Sequence, residues 1–175
     1  MLDNPENPEN KMIEMFVTGI ALDVRNNHPL VILNDSSKKR ALPIWIGHAE
    51  AQAIARALED FKPERPLTHD LLINIIEGAK YKVHHIEIND LNENTYFSSI
   101  ILENVIGEYL PVDSRPSDAI AIAIRVDCPI LISEKVFEDG TIPTEMDSDD
   151  EETEAFKSFI QNVKASDFKL TNSDD

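Results

Sequence analysis

A nearly uninterrupted run of alanine and isoleucine at residues 119–124 constrains the fold of this chain more than any other feature. Pro116 fits the first turn of a helix, because its missing N–H is one that a helix start leaves unbonded anyway. We therefore predict a helix over residues 115–126, with Ser114 or Ser117 as its cap. Since this helix is apolar on nearly every side, most of its surface must be buried against other elements.

The start of this predicted helix gathers groups that suit an anion. A helix N-terminus offers unbonded N–H groups and the positive end of the helix dipole, and both favour phosphate. The guanidinium group of Arg115 has a two-pronged geometry that matches phosphate oxygens. The alternative is that Ser114, Arg115 and Asp118 only cap the helix and pair with one another. The segment alone leaves both interpretations open.

The charge of the chain limits what it can bind. The chain has 175 residues and a formal net charge of −17, a size that fits one domain with an ordinary core. Residues 12–142 still hold 20 acidic and 12 basic side chains when both ends are set aside. Affinity for duplex DNA normally comes from a basic face. A role with nucleic acid must therefore rest on a local basic pocket or on metal ions held by carboxylates.

The chain divides into three parts. We predict a disordered N-terminus at residues 1–11, a domain at 12–142, and an acidic linker with a C-terminal helix at 143–175. No apolar run is long enough to cross a membrane, and the first part lacks the pattern of a signal peptide. Cys128 is the single cysteine and is expected in the core. No intramolecular disulfide can form, so a reducing cytoplasm is the expected location.

The order of the predicted elements is that of an α+β protein. Its first three strands suggest an antiparallel meander, with Gly19 as a candidate bulge. The predicted strands span residues 12–24, 30–33, 40–46, 81–89, 95–102, 107–112 and 129–133, with a hairpin loop at 90–94. The predicted helices span 47–61, 69–78 with Thr68 as cap, 115–126, and about 151–164. The last of these is amphipathic, with Phe156, Phe159, Ile160 and Val163 on one face.

Two further clusters put ionisable groups at predicted helix starts. Residues 42–51 (LPIWIGHAEA) place Glu50 in a first turn, and residues 65–71 (RPLTHDL) carry His69 and Asp70. Glu50 could serve only as a stabilising first-turn acid, and Asp70 only as a cap. Three helix starts with charged groups are nevertheless more than capping requires. We predict that the three clusters meet in one pocket.

Four motifs in order resemble the bifunctional nuclease domain family. They are residues 42–51 (LPIWIGHAEA), 65–71 (RPLTHDL), 96–100 (YFSSI) and 114–125 (SRPSDAIAIAIR). The resemblance extends over roughly residues 12–136. It implies an α+β body around a mixed, largely antiparallel sheet with packed helices, to which this chain adds its C-terminal amphipathic helix. It also implies degradation of both DNA and RNA, and assembly into homodimers or higher homo-oligomers.

The chemistry of phosphodiester hydrolysis narrows the choice of residues. The reaction needs an activated water, neutralisation of charge at phosphorus, and a proton for the leaving oxygen. Three carboxylates, those of Glu50, Asp70 and Asp118, could hold a divalent cation such as Mg²⁺ or Mn²⁺. A histidine can act as acid or base near neutral pH, which suits His69. The predicted catalytic residues are therefore Glu50, His69, Asp70 and Asp118.

The predicted substrate-binding residues are Arg65, Ser114, Arg115, Ser117 and Arg125, with Arg115 as the main phosphate clamp. An alternative for Arg125 is an ion pair with Asp118 or Asp127. Two classes of function stay open. The first is a nuclease that acts on RNA and DNA. The second is a non-catalytic, oligomeric binding or regulatory protein that uses the same pocket for an anionic ligand or a partner.

Overall fold

The computed structural model describes residues 11–144 and the backbone of residues 160–162. The predictions of a disordered N-terminus and an acidic linker fall almost entirely outside these residues. The strands are β1 (Met12–Asp23), β2 (His28–Asp35), β3 (Arg40–Trp45), β4 (Tyr81–Asn92), β5 (Thr95–Asn104), β6 (Tyr109–Ser114), β7 (Ile130–Ser133), β8 (Ile142–Pro143) and β9 (Ile160–Asn162). The helices are α1 (His48–Leu58), α2 (Thr68–Gly78), α3 (Pro116–Val126) and α4 (Glu134–Gly140).

The strands form one mixed sheet in the order β6-β5-β4-β7-β1-β2-β3-β8, and β9 pairs with β1. Strands β4 and β7 are parallel, and the other described pairs are antiparallel. The predicted α+β class and the predicted antiparallel meander of β1, β2 and β3 are confirmed. The register of β1 against β2 shifts between Val17 and Gly19, which confirms the bulge. No helix within the described part of the chain is long and apolar enough to cross a membrane.

Helix α3 lies in the centre of the hydrophobic core, as its composition requires. Residues 119–123 are all buried, and α3 packs against α1, α2, β4 and β5. Ile120 and Ile122 are fully buried together with Ile86 and Ile88 of β4. Each such side chain contributes about 1.5–3 kcal/mol when it leaves water. This core fixes the start of α3 relative to its neighbouring helices.

Two predicted helix caps are wrong. The residue before α3 is Arg115, and no side chain caps this helix start. Ser114 instead pairs with Ser98 of β5: the Ser98 hydroxyl donates to the Ser114 carbonyl oxygen at 2.7 Å, and the two hydroxyl oxygens lie 3.1 Å apart. Helix α2 begins after Leu67 rather than after Thr68. The side chain that bonds the start of α2 is that of Asp70, whose Oδ2 accepts from the Leu67 N–H at 2.9 Å. Asp70 in the first turn therefore bonds back to the residue before the helix, which is the aspartate half of a capping box.

Several predicted boundaries differ from the structure. Strand β4 extends to Asn92 and β5 begins at Thr95 as predicted, so the hairpin turn is only Glu93–Asn94, both with positive φ. Helix α4 lies where the sequence indicated only a spacer. Residues 160–162, part of the predicted C-terminal helix, form β9 and pair with β1. The rest of that predicted helix lies outside the described residues.

Candidate functional site

Three helix starts meet at one place, because α1 and α2 both pack against α3. Arg115 Nη1 donates to Glu50 Oε1 at 3.0 Å, which joins α3 to α1. Arg115 also donates to both carboxylate oxygens of Asp118, at 2.7 and 3.2 Å. His69 Nε2, from α2, lies 3.3 Å from Asp118 Oδ1. The structure thus brings residues of the three sequence clusters together, as predicted.

Gly47 explains how Glu50 reaches this network. Gly47 is the residue before α1, with extended backbone. A Cβ atom at this position would lie 2.2 Å from Glu50 Oε2. The missing side chain lets the Glu50 carboxylate fold back over the helix start, where it meets Arg115. The glycine in the sequence WIGHAE is therefore part of the site.

The hydrogen bonds of the network keep the Asp118 carboxylate ionised. Burial raises the pKa of Asp118, but the hydrogen bonds from Arg115 and His69 outweigh burial and bring the pKa below its ordinary value. The same contact with Asp118 raises the pKa of Arg115, with a smaller contribution from Glu50. Asp118 is therefore an anion at neutral pH. Its charge can orient both the arginine and the histidine.

A second ion pair lies beside the first and has a structural character. Arg125 Nε donates to Asp70 Oδ1 at 2.9 Å, and its other nitrogens donate to the carbonyl oxygens of Ala121 and Ala53. One side chain therefore connects α3, α2 and α1. Asp70 is the partner of Arg125, and the predicted pairing with Asp118 or Asp127 is wrong. Burial raises the pKa of Asp70, but the Leu67 N–H and Arg125 outweigh it and hold that pKa below its usual range.

An open cleft of about 620 Å³ lies over the Arg115 network. Five predicted site residues line this cleft: Glu50, His69, Arg115, Asp118 and Arg125. Arg65 is exposed and does not line the cleft. Ser114 and Ser117 do not line it either, because Ser117 is buried and Ser114 faces Ser98. Asp70 reaches the site only through Arg125.

Sequence reasoning missed Arg56 as a site residue. Arg56 lines the cleft together with Ala49 and Ala53 of the same helix. Their spacing of i, i+4 and i+7 is that of one helix face. Because Glu50 identified the helix and this face carries an arginine two turns later, the periodicity alone could have found it.

The described residues do not fit a metal centre. No group of three or more His, Cys, Asp or Glu side chains in residues 11–144 is arranged to hold an ion. The three carboxylates predicted as ligands already have cationic partners: Glu50 and Asp118 pair with Arg115, and Asp70 pairs with Arg125. A guanidinium occupies the positions that a cation would take.

The motifs of this cleft match a known family across most of the domain. The model of the bifunctional nuclease domain matches residues 31–145, which include every residue of the cleft. The chain belongs to the bifunctional nuclease domain family. The match also includes α1, α2 and α3, which carry the Arg115 network.

Relatives of this family member fall into two groups. An uncharacterised protein of Mycobacterium tuberculosis is 38% identical over 168 residues, which is 91% of this chain and 100% of the relative. Bifunctional nuclease 1 of Oryza sativa subsp. japonica is 25% identical over 116 residues, 65% of this chain and 35% of the relative. Bifunctional nuclease 1 of Arabidopsis thaliana is 26% identical over 128 residues, 67% of this chain and 39% of the relative. The plant proteins therefore contain much sequence that has no counterpart here.

Proposed function

We propose that this chain is a nuclease that hydrolyses phosphodiester bonds of RNA and DNA in the cleft over Arg115. The observation that carries the proposal is the joint placement of an exposed arginine and a His69–Asp118 pair in one cleft. The plant relatives named as bifunctional nucleases support the reaction class. The expected substrates are nucleic acids of the cytoplasm, in line with the single cysteine.

The proposed roles follow from the hydrogen bonds. Because Asp118 is ionised, it accepts the proton of His69 Nε2, which leaves Nδ1 as the basic nitrogen of the imidazole. Nδ1 takes a proton from a water molecule as the water oxygen attacks phosphorus. The bond from phosphorus to the leaving oxygen breaks, and that oxygen takes a proton from solvent. Asp118 positions the histidine and does not itself transfer the proton.

Arg115 is the proposed phosphate ligand. Its side chain is 65% exposed, whereas those of Glu50 and Asp118 are 22% and 30% exposed. A phosphate oxygen can therefore approach the guanidinium from the solvent side. Added negative charge develops on the phosphoryl oxygens in the transition state, and a fixed guanidinium stabilises it. Glu50 holds Arg115 in place from the opposite helix.

A non-catalytic role remains the second candidate, and one observation favours it. All three hydrogen bonds that Arg115 donates in this network are accepted by carboxylates of the same chain, those of Glu50 and Asp118. Such a network can also serve only to hold three helices together or to form a pocket for an anionic ligand or partner. The acidic composition agrees with this alternative. The two candidates differ in one measurable property, which is turnover.

The test compares purified wild type with the Arg115→Ala/Asp118→Ala variant on single-stranded RNA and DNA, with and without EDTA. We expect the activity of the variant to be lower by roughly 100-fold or more, because the guanidinium that stabilises negative charge in the transition state is gone. Lys135→Ala/Asp90→Ala is the matched control, since it removes one ion pair outside the cleft. The control should cleave like wild type.

Each outcome of this test is informative. Equal activity in wild type and in the Arg115→Ala/Asp118→Ala variant would reveal a contaminating nuclease and support the non-catalytic alternative. Loss of activity in EDTA would mean that the reaction requires the predicted divalent cation, Mg²⁺ or Mn²⁺. In that case the ion would have to displace the cationic partners of Glu50 and Asp118.

A further inference from the structure

A second cleft continues the first along the helices. It has a volume of about 580 Å³ and lies between the end of α1, the following loop and α2. Four residues line both clefts: Arg56, Pro66, Leu67 and Arg125. The two clefts therefore form one groove that leads from Arg115 past Arg56. No residue of the predicted site other than Asp70 and Arg125 lines this second part.

The second cleft combines an exposed aromatic ring with two cationic side chains, Arg56 and Lys62, in addition to Arg125. Phe61 is 55% exposed and lines this cleft. The guanidinium of Arg56 lies over its ring, 5.7 Å from the centroid. The Phe61 N–H donates to the Arg56 carbonyl oxygen at 2.9 Å, so the ring and the arginine are held at the same helix end. Lys62 follows directly and lines the same cleft.

The charges in this cleft allow an anion to enter. Lys62 pairs with Asp60, but both side chains are more than 80% exposed, and such surface pairs contribute little. The Asp70 carboxylate is already paired with Arg125. Lys62 and Arg56 can therefore turn to a phosphate without leaving a buried carboxylate unpaired. Three cationic side chains, those of Arg56, Lys62 and Arg125, line this cleft with three carboxylates, those of Asp60, Asp70 and Glu77, so the groove is neutral although the chain is acidic.

We propose that this second cleft binds a single-stranded segment of the nucleic acid whose phosphodiester is held at Arg115. One base stacks on the ring of Phe61, and the adjoining phosphates contact Arg56 and Lys62. Stacking on an exposed ring needs an unpaired base, so the cleft selects single strands over duplexes. The inference rests on the proposed function, because the groove is continuous with the proposed catalytic cleft.

The test measures binding separately from cleavage. A labelled single-stranded phosphorothioate DNA of about ten nucleotides resists hydrolysis and matches the length that one binding groove spans. Its affinity for the full chain is measured by fluorescence anisotropy, beside a duplex of the same sequence. We expect the single strand to bind more tightly than the duplex. Affinity should fall with salt, because phosphates exchange condensed cations for Arg56 and Lys62.

Phe61→Leu is the deciding variant, because it keeps the apolar character and removes the aromatic face. We expect single-strand affinity to fall about 5- to 100-fold, the effect of one lost stacking contact. Phe97→Leu is the matched control, because Phe97 is 45% exposed on β5 and lines neither cleft. This variant should bind the single strand with the affinity of wild type. Arg56→Gln should lower the salt slope by about 0.7, the value for one single-strand phosphate contact.

Failure of this inference can be told apart from failure of the proposed function. Unchanged affinity in Phe61→Leu, or equal binding of duplex and single strand, would overturn the stacking site even if the wild type cleaves nucleic acid. Binding that depends on Phe61 without any cleavage would support the site and remove the nuclease. Absence of binding by the wild type would overturn the inference outright.

Discussion

At the scale of single residues, the two arginines at either end of α3 have opposite environments: Arg115 precedes the helix and Arg125 lies in its last turn. The side chain of Arg125 is 11% exposed, and it donates to two backbone carbonyls and to Asp70. Exchange of these partners for a ligand would leave buried acceptors unbonded, which costs about 1–3 kcal/mol for each group. Arg115 is mostly exposed and bonds only carboxylates in this network. The same residue type therefore serves as a helix connector at one position and as a candidate ligand at the other.

Asp23 at the end of β1 is a buried carboxylate whose charge depends on one arginine. It is 1% exposed, and Arg25 donates to both of its oxygens at 2.9 and 2.7 Å. The hydrogen bond from Arg25 lowers the pKa of Asp23 from 3.8 to about 2, against the effect of burial. A pKa that is lowered by folding adds stability above pH 3.8. That contribution is lost as the pH falls toward 2.

We predict that Asp23→Asn lowers the melting temperature at pH 7 and weakens its dependence on pH below 4. The reason is that the amide keeps the shape of the carboxylate but loses the charge that Arg25 stabilises. Thermal melts at pH 7, 4 and 3 provide the measurement. Asp139→Asn, at an exposed position of α4, is the control and should melt like wild type at pH 7. Parallel pH profiles for Asp23→Asn and wild type would contradict the prediction.

At the scale of helices, the role of the α1 start can be tested by substituting alanine for each of two glycines, Gly47 and Gly78. We predict that Gly47→Ala lowers both stability and affinity for anions, because the new Cβ displaces the Glu50 carboxylate from Arg115. Gly78→Ala at the end of α2 is the matched control, since an added Cβ there meets nothing within 4 Å. The control should keep or slightly raise the melting temperature, by the usual preference of helices for alanine.

The cost of Gly47→Ala should be about 0.5–2 kcal/mol of unfolding free energy, the range for an unfavourable helix cap. Chemical denaturation measures this cost, and titration with inorganic phosphate measures the anion affinity. Equal behaviour of Gly47→Ala and Gly78→Ala would mean that the Glu50–Arg115 contact contributes nothing.

The helices also show where sequence reasoning reached its limit. The burial of α3 was predictable, because its composition leaves no polar face. The cap of α2 was predicted wrongly, because serine and threonine rank high as caps, whereas here the helix begins one residue earlier and Asp70 in its first turn accepts from the Leu67 N–H. Helix α4 has seven residues and buries only Val136, so it offers no periodic signal. Residues 160–162 follow a helical spacing in sequence, yet pairing with β1 makes them a strand.

At the scale of the whole molecule, the site was partly predictable for a similar reason. Charged groups at three helix starts pointed to one pocket, and the packing of α1 and α2 on α3 brings them together. The partners within that pocket could not be read from the sequence, because they depend on contacts between residues far apart in the chain. Arg125 and Asp70, for example, are 55 positions apart. The parallel pairing of β4 with β7 is equally invisible to local patterns.

The edge of the sheet favours the predicted assembly of two or more copies. Strand β6 has one neighbouring strand among the described residues, which is β5. Its residues Tyr109, Leu110 and Val112 are exposed, and Val105 and Ile106 in the preceding turn are more exposed still. An edge strand with an apolar surface is a template for pairing with another chain unless something blocks it. Pro111 removes one donor from this edge without covering the apolar side chains.

We predict that the chain is a homodimer or higher homo-oligomer that buries β6, with a mass by light scattering of at least twice 19.7 kDa at micromolar concentration. Leu110→Lys/Val112→Lys should shift the mass to that of the monomer, because two charges on one face of the strand oppose its burial. Leu72→Lys, at a similarly exposed leucine of α2, is the control and should keep the wild-type mass. A wild type of monomeric mass would refute assembly itself. A monomeric mass for both Leu110→Lys/Val112→Lys and Leu72→Lys would instead mean that the effect is not specific to β6.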